Sequence, residues 1–180
     1  IFSDLTITGQ YSPAGLFGIV EEQGSIESLS VRGVVSVSDS ADTTTGGIVG
    51  VNHGTLINCQ FTGVVTGDSE VGGIVGRNES EGTIDHGTAR AIVTGKSSTG
   101  GIAGYNLGAI TGCTNVGSIN TEYPEASLDT DGFTAKMVDY INNKMAAADN
   151  DATNSVTNVA TDTGGIAGRS SGMILTSVNT

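Results

Sequence analysis

The chain has no tryptophan, only two prolines and two cysteines, and four residues each of tyrosine and phenylalanine among its 180. Large interlocking rings therefore cannot fill its core, which must be built from small and branched side chains. Basic residues are equally scarce. Seven Lys and Arg face 19 Asp and Glu, for a net charge of −12 and a pI of about 4.2. The seven are scattered, so the positive surface that a nucleic acid or an anionic membrane demands is missing, and neither is expected as a partner. No run of 18 apolar residues and no signal peptide occur, so direct membrane insertion is not expected, and an export signal or anchor would have to lie outside this sequence. Motifs of chemistry are absent too. There is no CxxC or paired histidine for zinc, no H-E-x-x-H and no G-x-S-x-G. No cofactor is implied.

What the chain has in quantity is glycine, 28 residues, and it is periodic. A Gly-apolar-apolar-Gly core recurs as Gly15-Leu16-Phe17-Gly18, Gly47-Ile48-Val49-Gly50, Gly73-Ile74-Val75-Gly76, Gly101-Ile102-Ala103-Gly104 and Gly165-Ile166-Ala167-Gly168. The steps between the last glycines are 32, 26, 28 and 64 residues, so the last one holds an insertion. Behind each core follows glycine, one residue and a branched apolar residue: Gly24 to Ile26, Gly54 to Leu56, Gly82 to Ile84, Gly108 to Ile110 and Gly172 to Ile174. Counting on gives further columns: Leu29, Cys59, Gly87, Cys113, Ser177; then Val31, Phe61, Ala89, Asn115, Asn179; then Val35, Val65, Val93, Ile119. Phe2, Leu5, Ile7, Gly9 and Tyr11 fit the same register against Ile26, Leu29, Val31, Gly33 and Val35, so the sequence starts inside a repeat.

Positions 29, 31, 33 and 35 and their equivalents alternate apolar or small with polar residues, the period of a half-buried strand. A helix does not fit, because each interior glycine would cost about 1 kcal/mol relative to alanine. Short strands punctuated by glycine turns at this period describe the coils of a β-solenoid. No coil can bury its own apolar face, but stacking pairs every strand in parallel about 4.8 Å from its neighbour and lines like residues into shared columns. The expected fold is all-β, a right-handed parallel β-helix forming a single domain over 1–180 and interrupted by one insertion. A leucine-rich-repeat horseshoe is the alternative, since Ile26-x-x-Leu29-x-Val31 imitates its strand, although its asparagine or cysteine and its outer helix are missing.

Three columns invite functional readings. Cys59 and Cys113 stand two coils apart with Gly87 between, about 9 to 10 Å, beyond the roughly 7 Å that a disulfide spans, so two buried free thiols are expected. Asn52, Asn78 and Asn106 suit a ladder of amides at a corner, or else a row that contacts sugar. Leu16, Ile48, Ile74, Ile102 and Ile166 neighbour Phe17, Val49, Val75, Ala103 and Ala167 in sequence; adjacent strand residues face opposite ways, so one column should be outside and either covered or ligand-binding. The nearest thing to a catalytic group is Asp85-His86 behind Glu79 and Glu81, which a polar turn also explains.

The insertion, 121–163, changes period. Around Pro124 it is acidic, and Asp129 and Asp131 are candidate calcium ligands that match no recognised loop. Phe133, Met137, Ile141 and Met145 then recur every four residues, predicting an amphipathic helix at about 133–147. A polar return covers 149–163. The helix would either pack on the solenoid wall or bind a partner, with Tyr123, Phe133 and Tyr140 as candidate contact residues.

The run Gly46-Gly47-Ile48-Val49-Gly50-x-Asn52-x-Gly54-x-Leu56-x-x-Cys59, followed by Gly63-Val64-Val65-Thr66-Gly67, resembles the GLUG motif, a short repeat of bacterial extracellular proteins. The copies at 46–67 and 100–119 match it well. The copy at 72–95 has Gly87 in place of cysteine and two extra residues before Gly82, and the first lacks both asparagine and cysteine. The resemblance implies a displayed repeat of surface adhesins or of the non-catalytic parts of immunoglobulin A peptidases, and implies no chemistry. Two functions are expected on these grounds. One is a structural or adhesive module of a bacterial surface or secreted protein that spaces other domains of its chain and contacts a host protein or a glycan. The other is a carbohydrate-active β-helix enzyme, a polysaccharide lyase or hydrolase, in which clustered carboxylates would be required.

Overall fold

The computed structural model describes residues 1–37, 43–120 and 161–180. Strands follow one another in coils: β1 (Phe2–Gly9), β2 (Phe17–Val20), β3 (Ser25–Glu27) and β4 (Ser30–Val37); β5 (Thr45–Gly46), β6 (Val49–Asn52), β7 (Thr55–Ile57) and β8 (Gln60–Thr66); β9 (Val71–Gly72), β10 (Val75–Asn78), β11 (Thr83–Asp85) and β12 (Thr88–Thr94); β13 (Ser97–Gly100), β14 (Ala103–Asn106), β15 (Ala109–Thr111), β16 (Thr114–Asn115) and β17 (Ser118–Ile119); β18 (Thr161–Gly164), β19 (Ala167–Ser170), β20 (Met173–Leu175) and β21 (Val178–Asn179). They stack into four parallel sheets, one per face of the coil. Face I holds β5, β9, β13 and β18; face II holds β2, β6, β10, β14 and β19; face III holds β3, β7, β11, β15 and β20; face IV holds β1, β4, β8, β12, β16 with β17, and β21. This is a β-solenoid. A horseshoe would carry one strand per repeat, whereas these coils carry strands on several faces, the first meeting face I only through a bridge from Ala14 to Thr45, and no described residue is helical.

The interior is built as columns. Leu56 pairs with Ile26 on one side and Ile84 on the other, and Ile110 continues the line to Ile174. Val31, Phe61 and Ala89 line up on face IV, as do Val35, Val65, Val93 and Ile119. Leu56, Ile84, Ile110, Phe61, Val65 and Val93 are fully buried in one cluster. Each such side chain contributes about 1.5–3 kcal/mol of burial. β1 departs from the expected register by four residues: Leu5 lies beside Gly33 and Ile7 beside Val35, with an irregularity between Phe2 and Leu5. Gly33 makes this possible, since a side chain there would collide with Leu5.

The Gly-apolar-apolar-Gly core marks the bend from face I to face II. Residues 47 and 48 turn between β5 and β6, and because the backbone is not extended there, Ile48 and Val49 both point inward. The expectation that one of the two columns stays outside is therefore corrected: Ile48, Ile74, Ile102, Val49, Val75 and Ala103 are all fully buried. Around the bend the backbones come close. A Cβ on Gly76 would stand 2.6 Å from the Thr45 nitrogen and 2.8 Å from the Gly50 oxygen. A second correction concerns the insertion's end, because Thr161–Gly164 forms β18 and pairs with β13. The helix expected at 133–147 and the rest of 121–160 lie outside the described residues.

Candidate functional site

Among the described residues the most elaborate polar arrangement is the asparagine ladder at the corner between faces II and III. Asn52, Asn78 and Asn106 end β6, β10 and β14 in register and are all 0% exposed. Asn52 Nδ2 donates to Asn78 Oδ1 at 2.8 Å, Asn78 Nδ2 donates to Asn106 Oδ1 at 2.8 Å, and Asn106 Nδ2 donates to Ser170 Oγ at 3.2 Å. Each amide also closes its own turn. The Gly54 amide donates to Asn52 Oδ1 and Asn52 Nδ2 donates to the Gly54 oxygen; Asn78 Nδ2 donates to the Gly82 oxygen. Every donor is spent inside the protein, so this row offers nothing to a sugar. A second pair escaped the sequence reading: Asn115 Nδ2 donates to Asn179 Oδ1 at 2.7 Å, and Asn115 closes the same turn onto Gly117. The spacing Asn-x-Gly, shared by Asn52, Asn106 and Asn115, was the available signal.

Asp85 and His86 are brought together, with Asp85 Oδ1 2.8 Å from His86 Nδ1 on an exposed corner. The corner explains the pair. His86 has φ 51°, in line with Ser28, Asn58, Gly112 and Thr176, which take the same left-handed conformation where face III turns into face IV. Glu79 and Glu81 do not join it. Glu79 accepts from Arg77 Nε at 2.6 Å. Glu81 is held by the Ser80 hydroxyl at 2.7 Å, which lowers its pKa. The carboxylates therefore serve separate local partners and do not converge.

Arg77 also meets Glu70 at 2.7 Å and lies over the Tyr105 ring, with Arg169 on that ring too. Arg77, Tyr105 and Arg169 share the outward column of face II. Partial burial opposes the arginine's charge, but the Glu79 hydrogen bond and both carboxylates raise its pKa. Cys59 and Cys113 are buried and unpaired. Burial pushes the Cys59 thiol up, and that of Cys113 up to about 11, the opposite of an activated nucleophile. Among the described residues, the side-chain hydroxyls of Thr45 and Thr99 are buried without a hydrogen-bond partner. Tyr123, Phe133, Tyr140, Asp129 and Asp131 lie outside the described residues. Among the described residues no three His, Cys, Asp or Glu side chains gather as metal ligands, and no helix is long and apolar enough to cross a membrane.

Compared with known proteins, the chain matches no family model and no solved structure. A stretch of 75 residues, 42% of the chain, is 35% identical to part of halomucin from Haloquadratum walsbyi, and that stretch spans 1% of halomucin's length.

Proposed function

We propose that the chain is a non-catalytic structural repeat module of an extracellular or cell-surface protein, one that spaces or presents other domains and offers its outer faces to a glycan or host-protein ligand. The observation that carries this reading is the use of side chains. Interior columns and the asparagine ladder bind coil to coil, while Asp85, His86, Glu79 and Glu81, the grouping that an enzyme would need, are divided among separate partners. Such a stack is stiffened along its axis by every sheet at once, which suits a spacer. The likeness to a short part of halomucin and the resemblance to the GLUG motif support a repeated, displayed module.

The test is binding without turnover. The folded chain is applied to an array of neutral and acidic glycans, and in parallel incubated with uronic-acid polysaccharides while new reducing ends and unsaturated products are followed. Retention on the array with no product supports the module. Product release that disappears in Asp85→Ala would reverse the reading in favour of a lyase or hydrolase.

A further inference from the structure

Asn78-Glu79-Ser80 is an Asn-x-Ser sequence, the acceptor pattern for N-linked sugar, and the pattern is normally read as a mark of surface loops. Here it sits on the central rung of the ladder. Asn78 is fully buried. Its Nδ2 donates to Asn106 Oδ1 at 2.8 Å and to the Gly82 oxygen at 3.0 Å, while its Oδ1 accepts from Asn52 at 2.8 Å. The space around it is full as well, because even a single Cβ on Gly108 would stand 2.9 Å from that nitrogen. Ser80, by contrast, is on the lengthened outer turn and bonds only to Glu81 among the described residues.

We propose that sugar attachment at Asn78 and closure of the ladder exclude each other, so that this acceptor is open only before folding. The transfer would form a bond from Nδ2 to the anomeric carbon of the sugar. It would break that carbon's bond to the phosphate of a lipid-linked oligosaccharide donor and release one Nδ2 proton to the transferase's base. The nitrogen would then keep one proton where the folded ladder uses two, and it would carry a sugar into a space that does not admit a methyl group. The consequence is directional. A folded chain is protected at Asn78, and a chain modified there cannot stack its β10 corner between those of β6 and β14. This inference does not depend on the proposed surface role, because it follows from the ladder alone.

The experiment compares the folded chain with a synthetic peptide of residues 72–86, each incubated with a purified oligosaccharyltransferase and its lipid-linked donor and analysed by mass spectrometry. The peptide is expected to be modified and the folded chain to be modified at least about a thousandfold more slowly, in keeping with the small unfolded fraction of a stable domain. In a second arm the chain is translated in the presence of the transferase. Molecules carrying the sugar should be protease-sensitive, and Ser80→Ala, which abolishes the acceptor without touching the ladder, should remove that sensitive fraction. Modification of the folded chain at a rate near that of the peptide, or a protease-resistant chain bearing sugar on Asn78, would overturn the proposal. So would a peptide that the transferase leaves untouched, since the sequence would then be no acceptor at all.

Discussion

At the scale of single residues, one column on face I carries a natural experiment. Thr45, Val71, Thr99 and Thr163 stand in register, and the hydroxyls of Thr45 and Thr99 are buried with no partner, while Val71 fills the same position with a methyl group. A buried unsatisfied hydroxyl costs about 1–3 kcal/mol, and the isosteric valine removes that cost. Thr99→Val should therefore raise the unfolding free energy by about 1 kcal/mol or more, read as a higher urea midpoint at unchanged slope. Cys113 makes a second residue-scale case. Its thiol is held up to about 11 by burial against an ordinary value of 9.0, so from pH 9 upward the unfolded chain loses its proton first. Stability from this group is constant below pH 9 and falls as pH rises toward 11, by about 2–3 kcal/mol in all. Urea melts from pH 8 to 11 should show this added slope in the parent and not in Cys113→Ala.

At the scale of the element, the bend between faces I and II decides which glycines are replaceable. Gly18 and Gly76 occupy the same place in the repeat, yet a Cβ on Gly18 would meet only the Pro13 oxygen at 3.5 Å, whereas one on Gly76 would press on backbone of the neighbouring coil at 2.6 to 2.8 Å. Gly18→Ala should be neutral or stabilising by up to about 1 kcal/mol, because alanine restricts the unfolded chain. Gly76→Ala should cost about 3 kcal/mol or more through overpacking against atoms that cannot turn aside; thermal melts of the two variants separate the outcomes. The same bend shows where sequence reasoning stops. The columns were legible because parallel stacking puts equal offsets side by side, and Leu56, Ile84 and Ile110 lie where counting puts them. The inward direction of both Ile48 and Val49 was not legible, because period-two alternation assumes an extended backbone and the chain turns at residue 48. Nor was the register of β1. Its apolar residues alternate equally well against Val31 or Val35, and the tie is broken only by the room above Gly33 that receives Leu5. Of the candidate site, the asparagine ladder was legible from its column. The pairing of Asp85 with His86 and the distinct partners of Glu79 and Glu81 depend on side-chain direction at corners, which spacing does not encode.

For the whole molecule, the governing fact is that each coil meets only the coils beside it, so stability is the sum of coil and interface contributions and the stack can lose a full period without losing its plan. Removing residues 51–76, one period of 26, joins Gly50 to Arg77 and so reproduces the natural Gly76-Arg77 junction. After the cut, Ile84 would lie over Ile26, and Ala89, Ala91 and Val93 over Val31, Gly33 and Val35, which keeps branched or small residues in every column. The shortened chain loses Phe61, the largest fully buried side chain among the described residues, and the Asn52 rung, so it should be less stable by several kcal/mol. It should nevertheless fold cooperatively, with the β-type circular dichroism of the parent per residue and a urea slope lower by roughly one seventh, in proportion to the surface removed. A cut of half a period, residues 64–76, supplies the contrast. It joins β8 midway along face IV to the middle of β10 on face II, leaves out β9 and puts every later column out of register, so the product should fail to fold. If both shortened chains fold equally well, or both fail, coil-to-coil register is not what specifies this structure.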